Sequence, residues 1–292
     1  MIIGTRGSKL ALWQANHIKD QLAEKGVEAE LKIIKTQGDK VQNLGFDKLE
    51  GKGFFTKELE DALLSDKIDI AVHSLKDLPT EGVEGLSLAA LSERADPADV
   101  LLIRPDAIDK DKPYQLKAGA KVGTSSARRQ AQLLEFHPEL EIVPIRGNVP
   151  TRVNKAVTGE VDAVALAAAG LDRLALEVPD LIRIRLSPRE FIPAPAQGVM
   201  ALQVKSDRME LRRSLVVLHN IAVGQCTNVE RRILNMLEGG CQLPLGVYCD
   251  KDQIGHYHVS AALGTENGVV RCRVSQSTHA GLAEEVLRRL KI

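Results

Sequence analysis

The 292-residue sequence predicts an α/β protein built from two similar doubly wound lobes and a small C-terminal α+β domain with an antiparallel sheet. Three observations lead there. Short apolar runs bounded by glycine, serine or proline alternate with amphipathic stretches of helical period as far as Arg173. Ile3-Gly4-Thr5-Arg6-Gly7-Ser8 is echoed by Val122-Gly123-Thr124-Ser125-Ser126, each a strand, a Gly-Thr pair and a serine-capped helix carrying arginine. Beyond residue 226 the order changes to one helix, three strand-like runs and a closing helix. These patterns divide the chain into residues 1–95 with 196–215, residues 96–195, and residues 216–292.

Within the first lobe, residues 2–5 read as a short buried strand. Residues 8–25 read as a helix with Leu10, Ala11, Ala15, Ile18 and Leu22 on one side and Gly26 as its stop. Arg6, Gly7 and Ser8 lie between them, where free backbone amides and a guanidinium suit an anion; a plain serine cap beside a solvent-facing arginine fits the same residues. Residues 29–34 alternate as a half-buried strand does. Periodicity then stops, and polar residues 36–53, with Lys48 and Lys52, read either as an active-site loop or as a solvated one. Residues 54–65 are helical, with Phe55, Leu59, Ala62 and Leu63 along one face. Residues 69–73 form a second buried strand that ends in Ser74-Leu75-Lys76-Asp77-Leu78-Pro79. Ligands of open α/β sheets bind at the carboxyl ends of strands, which makes Lys76 and Asp77 candidate site residues; a turn aspartate before proline is the plainer alternative. His73 reads as a packed strand residue. A strand at 86–91 and a charged crossing at 93–97 close the lobe.

The second lobe repeats the scheme, with strands at 120–124, 141–145 and 162–167. They feed a helix opening at Ser125-Ser126-Ala127-Arg128-Arg129, a helix after Arg146-Gly147-Asn148-Val149-Pro150-Thr151-Arg152, and Gly170-Leu171-Asp172-Arg173. Five arginines, Arg128, Arg129, Arg146, Arg152 and Arg173, therefore recur at strand-to-helix junctions. Guanidinium forks take carboxylate or phosphate bidentately, so their repetition at one sheet edge implies a polyanionic ligand in a cleft shared by the lobes. Residues 192–198, rich in proline and glycine, read as a hinge, residues 199–204 as a strand returning to the first lobe, and residues 207–219 as helical.

The third unit opens with a helix whose start is read from a capping box, Thr227 with Glu230, and whose apolar residues are Val229, Ile233, Met236 and Leu237. Gly239 and Gly240 stop it and present Cys241. A helix C-terminus and Glu238 both raise the pKa of a nearby thiol, which suits a tether better than a turnover nucleophile; a buried inert cysteine is the commoner fate of this residue type. Strands near 247–249, 256–263 and 269–275 and a helix to Lys291 complete the domain.

Composition narrows the function classes. Lys+Arg and Asp+Glu balance at 39 each, so no overall basic field argues for nucleic acid or an anionic membrane. The N-terminus lacks signal-peptide features and no apolar run approaches a membrane span, which predicts a cytoplasmic protein. The four cysteines have no paired metal spacing and the seven histidines no His-x-x-x-His pair, so no metal site is expected. A non-catalytic two-lobed polyanion-binding protein would explain the arginines and the hinge, but not the cysteine-bearing third domain. A phosphate-dependent transferase lacks its Gly-x-x-x-x-Gly-Lys-Ser/Thr loop here.

Seven ordered motifs then converge. They are Gly4-Thr5-Arg6-Gly7-Ser8 with Leu10-Ala11-Leu12-Trp13-Gln14, Gly51-Lys52-Gly53-Phe54-Phe55, Ala71-Val72-His73-Ser74-Leu75-Lys76-Asp77-Leu78-Pro79, Gly123-Thr124-Ser125-Ser126-Ala127-Arg128-Arg129, Arg146-Gly147-Asn148-Val149, Ala196-Gln197-Gly198 and Glu238-Gly239-Gly240-Cys241. Along essentially its whole length the chain resembles the porphobilinogen deaminase (hydroxymethylbilane synthase) family of tetrapyrrole biosynthesis. The resemblance implies lobes like those of the anion-binding periplasmic receptors and a monomeric transferase. It implies that four porphobilinogen molecules are deaminated and joined head to tail on a dipyrromethane cofactor, held by a thioether to Cys241, and that hydroxymethylbilane is released by hydrolysis. It implies that Asp77 bonds pyrrole N–H groups and stabilises the cation formed as ammonia leaves. Lys76, Asp77, Thr124, Ser126, Arg128, Arg129, Arg146 and Gly147 match cofactor-binding positions. Arg6, Ser8, Gln14, Lys48, Lys52, Phe55, Arg146, Arg152, Arg173 and Gln197 match substrate-binding ones. Lys9, Pro150 and Leu243 depart from the family pattern without removing an implied catalytic group.

Overall fold

The computed structural model of the protein describes residues 1–36, 56–238 and 243–291. Lys48, Lys52, Phe55 and Cys241 lie outside the described residues, as do residues 37–53 of the loop expected at 36–53, the first two residues of the helix expected at 54–65 and the two glycines after Glu238. The chain forms two compact units, Met1–Ala95 with Gly198–Gln225, and Asp96–Gln197 with Cys226–Ile292.

The first unit is a five-stranded sheet in the order β2-β1-β3-β10-β4. Strand β1 (Ile2–Thr5) pairs in parallel with β2 (Glu30–Ile33) and β3 (Ile70–Ser74). Its Gly4 packs against the Ile68 side chain, whose Cδ1 would lie 2.3 Å from a Cβ at that position. Helix α1 (Lys9–Ala23) is capped by Ser8, whose hydroxyl accepts from the Ala11 N–H at 3.3 Å, and it buries Gln14, Ala15, Ile18 and Leu22. As the edge strand, β2 leaves Ile33 exposed, so only part of the expected alternation is realised as burial. Helix α2 (Lys57–Leu64) buries Leu59, Ala62 and Leu63, and with them Glu60. Strand β4 (Leu86–Leu91) joins the sheet only through β10 (Met200–Lys205), the returning strand read at 199–204, which runs antiparallel to both neighbours. The helical stretch expected at 207–219 is helix α6 (Met209–Leu215) with a 3₁₀ turn at Val216–Leu218.

The second unit contains a sheet of the same design, β7-β6-β8-β5-β9. Strands β6 (Lys121–Gly123), β7 (Glu141–Val143) and β8 (Ala163–Ala167) are parallel and each feeds a helix: α3 (Ala127–Phe136), α4 (Val149–Val157) and α5 (Ala168–Arg173). Two strands escaped the sequence reading. Strand β5 (Asp99–Ile103) is buried at every residue, so its short apolar run has no period-2 signal. Strand β9 (Ile182–Arg185) alternates isoleucine with arginine at the sheet edge, too briefly to stand out. Strand β5 runs antiparallel to β8, with Asp99 opposite Ala167, so the start of β5 lies at the edge where β8 ends.

The same unit carries the antiparallel meander β11 (Leu245–Lys251), β12 (Tyr257–Thr265) and β13 (Gly268–Gln276). Val229 and Ile233 of helix α7 (Ile221–Met236) and Val286 and Leu290 of α8 (Leu282–Leu290) pack on Val247, Val259 and Tyr257 in one apolar core. The meander docks backbone to backbone on residues 192–193: Val247 N–H donates to the Pro193 carbonyl at 3.0 Å, and a Cβ on Gly246 would stand 2.5 Å from the Ile192 carbonyl oxygen.

The expected capping box is corrected by this helix. Helix α7 begins at Ile221, six residues before Thr227, so Thr227 and Glu230 are mid-helix and both fully buried. Glu230 reaches outward instead. Its Oε2 accepts from the Ala196 N–H at 2.6 Å and its Oε1 from the Cys249 N–H at 2.7 Å. The signal S/T-x-x-E is shared by caps and by helix interiors, and here burial decided for the interior.

Replacing Glu230 by alanine would strand two buried N–H donors, each costing about 1–3 kcal/mol. Glu230→Ala should therefore lose about 3 kcal/mol of stability in a denaturant titration, and Glu230→Gln, which keeps one acceptor, clearly less.

Candidate active site

Strands β1 and β3 are parallel neighbours, so their carboxyl ends meet at one edge of the first sheet. A pocket opens there, lined by Arg6 and Ser8 after β1, Gln14 of α1, Thr56 and Leu59 at the start of α2, His73 and Ser74 of β3, and Asp77. Asp77 belongs to a 3₁₀ turn, Leu75–Asp77, that follows β3 directly and leaves its carboxylate exposed; Lys76 of the same turn is half-buried. Gln14 is buried and its Nε2 donates to Ser74 Oγ at 2.9 Å, which ties α1 to the end of β3. Of the sequence-predicted residues, this edge gathers Arg6, Ser8, Gln14 and Asp77. It also includes His73, which the sequence reading set aside. Burial pushes the His73 pKa down to about 4, with a hydrogen bond to Gln203 opposing the shift and the Arg6 charge adding to it.

In the second unit the ends of β6, β7 and β8 bring the remaining residues to one sheet edge. Ser126 caps α3 by accepting from the Arg129 N–H at 3.4 Å, and Thr124 Oγ1 accepts from the Ser126 N–H at 3.2 Å. Asn148 caps α4, accepting from the Thr151 N–H at 3.0 Å. Gly147 before it has φ +105°, and a Cβ there would lie 2.6 Å from Thr151 Cγ2, so this turn requires glycine. Arg152 Nε donates to the Gly147 carbonyl at 2.8 Å, and Arg146 is half-buried beside that turn. Arg173 ends α5 half-buried, and burial pulls its pKa down to about 10.

Arg128 and Arg129 do not lie on the surface. Their exposures are 4% and 6%, and a carboxylate the sequence reading missed sits between them: Asp99, fully buried. Asp99 Oδ2 accepts from Arg128 Nη1 at 2.6 Å; Oδ1 accepts from Arg129 Nη2 at 2.7 Å and Nε at 3.2 Å. Gln197 Nε2 donates to the same Oδ1 at 3.0 Å and to the Pro97 carbonyl at 2.8 Å. Arg128 Nη1 also donates to the Ile192 carbonyl, and Arg129 Nη1 to that of Ala165, each at 2.9 Å. Burial would push the Asp99 carboxyl up, but the two guanidiniums outweigh it and hold it well below the usual carboxylate range. One carboxylate against two guanidiniums leaves the cluster with a net positive charge, which complements an anion. A lone aspartate opening an apolar run was the available signal for Asp99; it was masked by the turn-like Asp96-Pro97 beside it.

Among the described residues no cluster of histidine, cysteine and carboxylate could hold a metal ion, and no helix is long and apolar enough to cross a membrane.

Two outcomes follow from these charges. Asp99→Asn leaves two guanidiniums buried without their counter-charge and should cost about 3–5 kcal/mol by denaturant titration. His73 is harder to protonate folded than unfolded, so the unfolded chain binds the extra proton between about pH 6.5 and pH 4. Stability should fall on acidification through that window, by up to about 3 kcal/mol, and His73→Leu should flatten the pH profile there.

Residues 1–213 match the family model "Porphobilinogen deaminase, dipyromethane cofactor binding domain", and residues 224–287 match "Porphobilinogen deaminase, C-terminal domain". The porphobilinogen deaminase of Nitratidesulfovibrio vulgaris is 46% identical over 249 residues, covering 84% of this chain and 77% of that protein. That of Sulfurimonas denitrificans is 44% identical over 271 residues, 92% of this chain and 85% of its own length. Among solved structures, a periplasmic substrate-binding protein of an ABC transporter from Coxiella burnetii aligns at 14% identity and TM-score 0.44, covering 76% of this chain and 93% of that one. On the match of both family models and on the identity to these relatives, the chain belongs to the porphobilinogen deaminase family.

Proposed function

We propose that the protein is a hydroxymethylbilane synthase, which deaminates four porphobilinogen molecules, joins them head to tail on a dipyrromethane primer and releases the tetrapyrrole by hydrolysis. The observation that carries this reading is the exposed Asp77 carboxylate at the end of β3, in a pocket it shares with Arg6, Ser8 and Gln14. When the aminomethyl C–N bond of porphobilinogen breaks, its electron pair leaves with ammonia and positive charge develops on the pyrrole and its methylene carbon. A carboxylate fixed beside that carbon stabilises the charge, and it accepts hydrogen bonds from pyrrole N–H groups. Arg6 and Ser8 take the substrate's carboxylates, with Gln14 in support.

The second unit's donor set fits the cofactor. Dipyrromethane brings several carboxylates, and the net charge of the Asp99–Arg128–Arg129 cluster favours them. In this reading Arg128, Arg129, Arg146 and Lys76 hold the cofactor's acid groups, with Thr124, Ser126 and Gly147 shaping the turns around them. Arg146, Arg152, Arg173 and Gln197 serve the growing chain, and Lys48, Lys52 and Phe55 close over it. The dipyrromethane, attached by a thioether to Cys241, supplies a covalent primer whose terminal pyrrole can be extended. The same reading divides the chain into three domains, 1–95 with 196–215, 96–195 and 216–292, in a cytoplasmic monomer without nucleic-acid or membrane partners.

Intact mass spectrometry with peptide mapping tests the reading. The expected result is an adduct of two linked pyrroles on Cys241, together with turnover of porphobilinogen. A bare chain that gains no adduct on incubation with porphobilinogen would favour a non-catalytic polyanion-binding protein. Asp77→Ala should keep the fold by circular dichroism and lose nearly all turnover, and wild-type rates in that variant would remove Asp77 from its role.

A further inference from the structure

Beneath the first unit's pocket lies a chain of polar side chains in an otherwise apolar layer. His73, Gln203 and Glu60 are 5%, 6% and 7% exposed. Glu60 is the one charged residue on the buried face of α2, and Gln203 is a diagonal neighbour of His73 across the β3–β10 pairing, since it stands opposite Ala71. Burying three such groups costs free energy that an apolar set would not.

The chain has a direction. Glu60 Oε2 accepts from Thr56 Oγ1, and its Oε1 accepts from Gln203 Nε2, both at 3.3 Å. Gln203 thus turns its amide nitrogen toward Glu60 and its carbonyl oxygen toward His73. That oxygen lies 3.1 Å from His73 Nε2, and a carbonyl needs a donor opposite it. His73 therefore carries its proton on Nε2. Its Nδ1 is left with a lone pair and makes no hydrogen bond to any described residue, while the imidazole lines the pocket that holds Asp77.

We propose that His73 is a substrate-binding residue, a neutral hydrogen-bond acceptor that takes an N–H of the bound pyrrole or of its aminomethyl group through Nδ1, with Gln203 and Glu60 as positioning residues that fix its tautomer. This rests on the hydroxymethylbilane synthase reading and adds a second acceptor to its site. Division of labour follows from charge. Asp77 can stabilise a developing cation, whereas a neutral imidazole lone pair orients an N–H without adding charge to the pocket. Burial keeps the ring neutral at physiological pH, so the acceptor is present when substrate arrives.

The test uses the cofactor-loaded enzyme with ¹⁵N-labelled histidine, and His73→Asn assigns the His73 signals. At neutral pH the expected spectrum has a pyrrole-type Nε2 and a pyridine-type Nδ1, and porphobilinogen should shift the Nδ1 signal toward the hydrogen-bonded range. An Nδ1-protonated ring, or an Nδ1 signal indifferent to porphobilinogen, overturns the assignment whether or not any variant folds. Gln203→Leu should let the Nδ1-protonated form appear, and an unchanged tautomer there removes Gln203 from its positioning role. In kinetics, His73→Leu should raise KM about tenfold, the worth of one hydrogen bond. His73→Asn, whose side-chain oxygen can occupy the Nδ1 position, should recover most of that loss. Unaltered KM and kcat in His73→Leu, with an active wild type, overturn the His73 role alone. A wild type that consumes no porphobilinogen overturns the underlying function as well.

Discussion

Asp99 is the residue on which the second unit's site depends. Two adjacent arginines at the opening of α3 can be drawn into the sheet edge only if a carboxylate meets them there, and β5 delivers one by entering antiparallel beside β8. Were β5 parallel to its neighbours, Asp99 would start at the opposite edge and the guanidiniums would be stranded. The strand's direction and the site's charge are thus a single constraint.

That constraint extends through the backbone. Gln197 binds Asp99 with its side chain, its neighbour Ala196 donates to Glu230, and the other oxygen of Glu230 receives Cys249 of the meander. An unbroken series of buried hydrogen bonds therefore runs from the arginine pair to helix α7, whose end precedes Cys241. The first unit has a counterpart of different chemistry: Glu60–Gln203–His73, in which an amide links a carboxylate to an imidazole. One buried network concentrates positive charge and the other sets the direction of a lone pair.

Much of this was legible in the sequence, for identifiable reasons. The echo between Ile3–Ser8 and Val122–Ser126 corresponds to two strands in the same place of the same sheet order, each with a glycine filled by a neighbouring isoleucine and a serine capping the next helix. Arg6, Ser8 and Asp77 could be read because each follows the end of a strand, whereas Gln14, inside α1, was carried only by the family resemblance. Asp99, Glu230, Gln203 and Glu60 could not. Their long-range partners are 19 to 143 residues away along the chain, and nothing local distinguishes a buried, paired carboxylate or amide from a solvated one. Thr227 and Glu230 show the converse, a convincing local pattern overruled by tertiary burial.

The shared sheet order also bears on how the chain is made. In the second unit every strand of the five-stranded sheet comes from one continuous stretch, from Asp99 to Arg185. The first unit's β4 reaches its sheet only through β10, which begins at Met200, more than a hundred residues after β4 ends. On a ribosome the N-terminal lobe therefore waits, its sheet open between β3 and β4, while the lobe encoded after it closes first. The order of synthesis and the order of completion are reversed, and the unfinished edge of β3 is the strand that carries His73 and leads to Asp77.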